Sequence, residues 1–339
     1  MRVFITGGTG LIGRRLMARL IERGDEPVIL SRRSDEVRRT KSMRGISVVQ
    51  GDPTSTGLGW EEHLEGCDAV VNLAGENLFK HRWSSSFKRK IRDSRVLATE
   101  NVVKAIRGCV QKPKVLVQGS AIGYYGTHDD EELTETSPQG SDFMARVCRE
   151  WEDAAKPAES LGVRLATVRT GVVLAAGEGA LGVMTPIFKW LPGGAAPVGS
   201  GESSFKPGSG RQWMSWIHLD DIVGVFLLGL DHADAKGPLN GTSPNPVRNV
   251  DFGKALAKQL HRPFLPFGPP DAMLNLVLGG VAEVVTKGQK VLPAKPLALG
   301  YKFEFPELTE ALKSVFATPP KLKAEPKTAH GHEKAHAHH

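Results

Sequence analysis

Two short stretches of this chain carry side chains with the types and spacing for chemistry. Gly119-Ser-Ala-Ile-Gly-Tyr-Tyr-Gly126 follows an apolar run and holds a serine with two of the chain's 3 tyrosines. A hydroxyl at Ser120 can orient a carbonyl oxygen, and a phenol at Tyr124 or Tyr125 can exchange a proton with it. Thr6-Gly-Gly-Thr-Gly-Leu-Ile-Gly13 spaces its glycines as G-x-x-G-x-x-G between a β-type run and an amphipathic helical stretch. Such glycines permit a tight turn and close approach to backbone, and the helix that follows presents free N–H groups to a pyrophosphate. Gly7, Thr9, Gly10, Leu11, Ile12 and Gly13 are therefore the expected cradle of a dinucleotide.

The end of the second apolar run selects between dinucleotides. NAD binders place Asp or Glu there for the ribose 2′-OH, but this chain reads Leu30-Ser-Arg-Arg-Ser34. An acid would repel a 2′-phosphate, whereas Ser31 with Arg32 or Arg33 can hydrogen-bond and neutralise it. NADP(H) is the expected cofactor. Asp52, after the third run, suits the adenine edge, and Leu73, Ala74 and Gly75, after the fourth, suit backbone passage beside ribose and phosphates.

These residues need a scaffold, and the pattern supplies one. β-type runs at Val3–Thr6, Val28–Leu30, Ile46–Gln50, Ala69–Leu73, Val115–Gln118 and Arg164–Arg169 alternate with helical stretches near Leu11–Arg23, Ser85–Ile106 and Ser141–Leu161. Nearly continuous apolar strands alternating with helices imply an α/β fold, a doubly wound parallel sheet covered on both faces. Residues 1–175, completed by 215–245, form the expected Rossmann-type domain, and 176–214 with 246–317 a smaller substrate lobe. A Gly/Pro/Ser-rich stretch over 192–210 reads as a mobile loop with a twice-used Gly-Ser-Gly turn. A strong apolar helix starts at Trp216-Ile-His-Leu-Asp-Asp, with Asp220 as its expected N-cap. Further helices are expected over Asn249–His261, Asp271–Val285 and Pro306–Phe316, and residues 318–339 read as a disordered His-rich tail.

Bulk properties narrow the partners. The formal net charge is +7, and the tail contributes four lysines against two glutamates, so the folded part is only mildly basic. That favours an anionic small ligand over nucleic acid. Cys67, Cys109 and Cys148 are dispersed and read as reduced, buried thiols. Without a bilayer-length apolar run or a secretory leader, no membrane association is expected and the cytoplasm is the expected compartment. The oligomeric state is not legible.

With these residues in hand, the chain resembles the extended short-chain dehydrogenases/reductases, and within them the atypical epimerase-family proteins of the YfcH-like branch. The resemblance covers residues 1–317 and rests on Thr6–Gly13, Asn72-Leu-Ala-Gly-Glu-Asn77, Arg82-Trp83, Ser94-Arg95 with Thr99, and Ser120–Gly126. It continues through Arg169-Thr-Gly-Val-Val-Leu174, Gly210–Asp221, Lys287–Pro293 and Gly300–Phe303. It implies a Rossmann fold, NADP(H), and an unidentified small-molecule substrate. It further implies cofactor contacts at Thr99 and Arg169 and substrate contacts at Glu76 and Asn77. Arg211 can grip a substrate anion while Trp213 and Trp216 either close the pocket or pack in the core. The family pattern has one Gly-Ser-Gly loop where this chain carries an insertion around Glu202–Pro207.

The wider superfamily carries Tyr-x-x-x-Lys on the helix after the fifth strand, where Lys lowers the Tyr pKa. Here Phe143 stands in the tyrosine's place and Val147 in the lysine's. Moving a phenol from about 10 to about 7 is worth roughly 4 kcal/mol, so an unaided phenol serves as an acid rather than a base. That leans toward carbonyl reduction, with Ser120 orienting the oxygen and Tyr124 or Tyr125 giving the proton. Arg146 or Arg149 is available to replace the missing cation. The expected function is that of an oxidoreductase or epimerase-like enzyme, and the rival reading is a non-catalytic NADPH sensor; the missing Tyr-x-x-x-Lys argues against a sugar-nucleotide epimerase.

Overall fold

The computed structural model describes residues 1–40, 45–57, 59–78, 80–190, 210–265 and 287–317. The expected loop over 192–210 except Gly210, the insertion, the helix over 271–285 and the tail lie outside them. Seven strands form one parallel sheet in the order β11-β7-β5-β4-β1-β2-β3. They are β1 (Arg2–Thr6), β2 (Glu26–Ser31), β3 (Ser47–Gln50), β4 (Ala69–Asn72), β5 (Val115–Ala121), β7 (Arg164–Thr170) and β11 (Gly237–Gly241). Chain order reverses between β1 and β4, and in open α/β sheets ligands bind in the crevice at the carboxyl ends beside such a reversal.

Alternating strand residues supply two apolar faces, which is why helices cover both. Val3, Ile5, Val71 and Val117 pack under α1 (Leu11–Glu22) and α6 (Leu219–Asp231). Phe4, Val70, Leu116 and Leu165 pack under α3 (Ser85–Gly108) and the end of α4 (Phe143–Ala155). On this second face a polar row interrupts the core at one register level: Thr6, Asn72, Gln118 and Thr167. Asn72 accepts from Thr6 Oγ1 at 2.5 Å and donates to Thr99 Oγ1 and Gln118 Oε1 at 2.9 Å each. Paired in this way, the buried amide avoids the penalty of an unsatisfied polar group.

A buried ion pair closes the other half of that face. Arg169 donates from Nε and Nη2 to the two carboxylate oxygens of Glu152, both at 2.9 Å. Ser120 Oγ donates to the same carboxylate at 2.7 Å. Arg169 Nη1 donates to Tyr125 Oη at 3.0 Å, and Tyr125 Oη donates to Asn240 Oδ1 at 2.7 Å. Burial works against the Arg169 charge, but the Glu152 hydrogen bonds and charge outweigh it and raise its pKa.

Shorter elements form a group apart from the large sheet. Strand β8 (Val172–Ala175) pairs with β10 (Trp216–His218), β9 (Trp213–Met214) with β12 (Val247–Arg248), and β6 (Glu132–Leu133) with β13 (Lys290–Val291). Helices α5 (Gly179–Trp190), α7 (Asn249–Gln259), α8 (Ala294–Ala298) and α9 (Leu308–Phe316) complete it. Leu174, Leu181, Trp216, Phe252, Leu256 and Leu312 form its core. Trp216 is thus a core residue in a strand, and α6 begins only at Leu219. Its N-cap is His218 rather than Asp220, because His218 Nδ1 accepts from Asp220 N at 3.1 Å. Asp221, buried to 1% exposure, accepts from Glu304 N, Phe305 N and Tyr301 Oη.

Two outcomes follow from these contacts. Breaking a buried pair costs about 3–5 kcal/mol, so Arg169→Met lowers the unfolding free energy read from urea titration by that amount, and pairing it with Glu152→Met recovers much of the loss. Burial lowers the His218 pKa from its usual 6.5. The unfolded chain therefore takes up a proton that the folded cap refuses, and this stability is full above pH 6.5 and lost as pH falls through the folded value. A His218→Asn variant, which keeps a cap, shows a flatter melting temperature between pH 7.5 and 5.5.

Candidate cofactor and substrate site

The glycines at the β1 end are fixed by contact with backbone. Gly7 has φ +67°, and a Cβ there would lie 2.5 Å from the Leu73 carbonyl oxygen, across the crevice between β1 and β4. A Cβ on Gly13 would lie 2.5 Å from Gly7 O and 2.6 Å from Gly8 Cα. Gly10 precedes α1 with no side-chain cap, and the first turn holds no acid. The orphan N–H groups and positive end of the helix dipole are left to an anion. Thr9 and Gly10 are exposed at the rim, and Leu11 and Ile12 half-buried behind them.

At the end of β2 the Ser31–Ser34 turn is held from β3: Gln50 donates to Arg32 O at 2.8 Å and accepts from Ser34 N at 3.0 Å. Ser31 Oγ accepts from Arg33 N. Among the described residues Arg33 pairs with Glu36 at 3.2 Å, both well exposed, which contributes little. The Arg32 side chain is exposed and has no ionic partner among the described residues. Asp52 accepts from Thr54 N and Oγ1 at 2.9 and 2.7 Å.

Beyond β4 the chain runs through half-buried Leu73 and buried Ala74 to exposed Gly75 and Asn77. Glu76 lies between Lys80 and Lys90 at 3.5 and 3.3 Å. Burial alone would raise its pKa, but Lys90 and then Lys80 outweigh it and hold the carboxyl below its usual range. The residue that sequence reasoning missed is Arg95. It donates to Ile91 O and Glu76 O, lies 5.1 Å from the Trp151 ring, and reaches within 3.1 Å of a Cβ built on Gly75. No carboxylate pairs with it among the described residues, and burial lowers its pKa. The adjacent indole Nε1 of Trp151 is buried without a hydrogen-bond partner. Ser94-Arg95 stood out in the sequence only as a landmark, because its exposure to the crevice depends on how α3 meets α4.

The arginines considered on α4 are elsewhere. Arg146 bonds Ser141 O, Arg149 faces Asp153 and Gln139, and both are exposed. Phe143 and Val147 join Trp83, Phe87, Ile91, Leu78 and Met144 in an apolar cluster. Thr99 is fully buried, its hydroxyl donating to Arg95 O and accepting from the Asn72 amide. Ser120 and Arg169 are each 4% exposed and belong to the Glu152 network. Tyr125 is fully buried, and burial pushes its pKa up to about 12. Tyr124 is half-buried, its ring 3.5 Å from the Arg169 guanidinium. Among the lobe residues, Arg211 is exposed, and Trp213 donates to Asp130 at 2.8 Å with Arg248 stacked at 4.1 Å.

Comparison with known proteins places this geometry. The model of the NAD dependent epimerase/dehydratase family matches residues 3–240. The chain belongs to that family. A second model, a domain of unknown function (DUF1731), matches residues 269–315. The chain is 40% identical over 321 residues to the epimerase family protein SDR39U1 homolog, chloroplastic, of Arabidopsis thaliana, covering 93% of this chain and 86% of the relative. It is 36% identical over 319 residues to the epimerase family protein YfhF of Bacillus subtilis, covering 94% and 98%. The crystal structure of human epimerase family protein SDR39U1 (isoform2) with NADPH has a TM-score of 0.78 at 35% identity, covering 93% of this chain and 99% of that one. No helix among the described residues is long and apolar enough to cross a membrane.

A preference for NADPH over NADH is the outcome expected from the corner at Ser31–Arg33. Hydrogen bonds to charged groups are worth about 1.5–3 kcal/mol, so Arg32→Asp weakens NADPH binding by about 10- to 100-fold. NADH binding changes much less, and calorimetric titration with both cofactors reads the difference.

Proposed function

We propose that this chain is a cytoplasmic NADP(H)-dependent oxidoreductase that reduces a carbonyl group of a small molecule. The observation that carries the reading is the uncapped glycine loop facing a ribose corner with serine and two arginines and no acid. The residues fit the dinucleotide: a Cβ at Gly7 or Gly13 would fill the cradle, and the first turn of α1 offers N–H groups without a competing carboxylate. The human relative's NADPH supports the same choice. Placement in the YfcH-like branch belongs to this proposal and rests on the landmarks around Arg82-Trp83 and Ser94-Arg95.

Bound NADPH supplies a hydride to a substrate carbon. The chain's own residues hold charge and give a proton. Gly7–Gly13 and α1 neutralise pyrophosphate charge, Ser31 with Arg32 takes the 2′-phosphate, and Arg95 offers positive charge beside Gly75 from α3 instead of α4. Tyr125 is locked to Asn240 and Arg169, and the Ser120 proton is committed to Glu152. Tyr124 is therefore the phenol proposed as proton donor, a role that needs no lysine because the neutral phenol is the reactive form.

The same committed side chains favour one second reading, a non-catalytic NADPH sensor. The two readings part in one experiment, in which pure protein is mixed with NADPH and a small-metabolite extract while cofactor oxidation and products are followed. We expect consumption, lowered about 100-fold or more in Tyr124→Phe. Tight NADPH binding with no consumption across extracts would establish the sensor instead.

A further inference from the structure

The places of the superfamily's tyrosine and lysine are filled by an apolar wall. Phe143 and Met144 open α4, half-buried, and Met144 Cβ lies 3.4 Å from a Cβ built on Gly123, just beyond β5. Leu78 follows β4 and is tied down by Trp83 Nε1, which donates to its carbonyl at 3.0 Å. The wall thus stands over the carboxyl ends of β4 and β5, the end of the sheet that carries the glycine loop.

The acids beside this wall are already engaged, and Asp142, before Phe143, accepts from Ala145 N at 2.8 Å as the cap of α4. Glu76 is the acid of the β4 loop, and it is occupied by Lys80 and Lys90. Lys88 is half-buried, with its Nζ 5.0 Å from the centre of the Phe143 ring. No carboxylate pairs with Lys88 among the described residues. A cation over an aromatic face gains about 0.5–1 kcal/mol where water still reaches it, so the ammonium keeps most of its capacity for an anion.

We propose that the substrate is an anionic small molecule with an apolar, flat body. The body lies against Phe143, Met144 and Leu78, and the anionic group meets Lys88. This rests on the reading that substrate enters above β4 and β5, and it adds the chemical class. An apolar wall rewards dry contact area, and an unpaired ammonium at its edge discriminates by sign of charge. A hydroxyl-rich, uncharged body would leave both unused.

Three probes of one shape test this on NADPH-saturated protein by calorimetry: 2-naphthoate, 2-naphthalenemethanol and 2-naphthylmethylammonium. The naphthoate is expected to bind at least about ten-fold more tightly than the ammonium, a difference of 1.4 kcal/mol. Lys88→Gln should erase that preference while NADPH affinity stays unchanged, and Phe143→Ala should weaken all three probes. Equal binding of the three, no binding of any at millimolar concentration, or a preference that survives Lys88→Gln would overturn the proposal. NADPH titration of the same samples keeps the two readings apart, since loss of cofactor binding defeats the function proposed above, whereas intact cofactor binding without charge preference defeats this inference alone.

Discussion

The Glu152–Arg169 pair is the interaction on which the upper half of the molecule depends. A guanidinium and a carboxylate share a nearly dry site, and each satisfies the other through two hydrogen bonds. Their remaining capacity fixes everything nearby: Ser120 on β5, Tyr125 after it, and through Tyr125 the Asn240 amide on β11. Asn240 in turn donates to Leu292 O, which brings the C-terminal lobe into the same network. The Ser120 hydroxyl and the Tyr125 phenol, which read as catalytic candidates in the sequence, are both hydrogen-bonded into this network. The cost of burying the charges is met only while every member stays in place.

This explains the division of labour along the sheet. On the β1 side, function is made from backbone and small residues, where Gly7, Gly13 and the open start of α1 leave room and N–H groups. On the β5 and β7 side, charged groups are consumed internally. Two cations with no carboxylate partner among the described residues, Arg95 and Lys88, both stand on α3.

Local constraints were legible in the sequence and long-range ones were not. The glycine loop, the strands and the missing acid after β2 are visible because each is a rule about neighbours: turn geometry, apolar alternation, charge beside a ribose. Tyr125 illustrates the opposite case. Its burial depends on Asn240, which lies 115 residues away, and no local pattern distinguishes it from Tyr124. Glu152 gave no signal at all, since one glutamate on an amphipathic helix looks like any solvated one. The capping contact of His218 with Asp220 N was hidden as well, since it depends on where α6 starts. The family resemblance supplied landmarks such as Ser94-Arg95 without saying what they touch.

The Asp221 carboxylate carries a last consequence. Its acceptors are filled by the backbone of Glu304 and Phe305 and by the Tyr301 hydroxyl, all from the region matched by the second family model. The helix that bears Asp221 lies on the dinucleotide sheet itself. The two matched regions are therefore not interchangeable modules joined by a tether. A chain that kept the first region without the second would lose three hydrogen bonds to Asp221 and open its carboxylate to water.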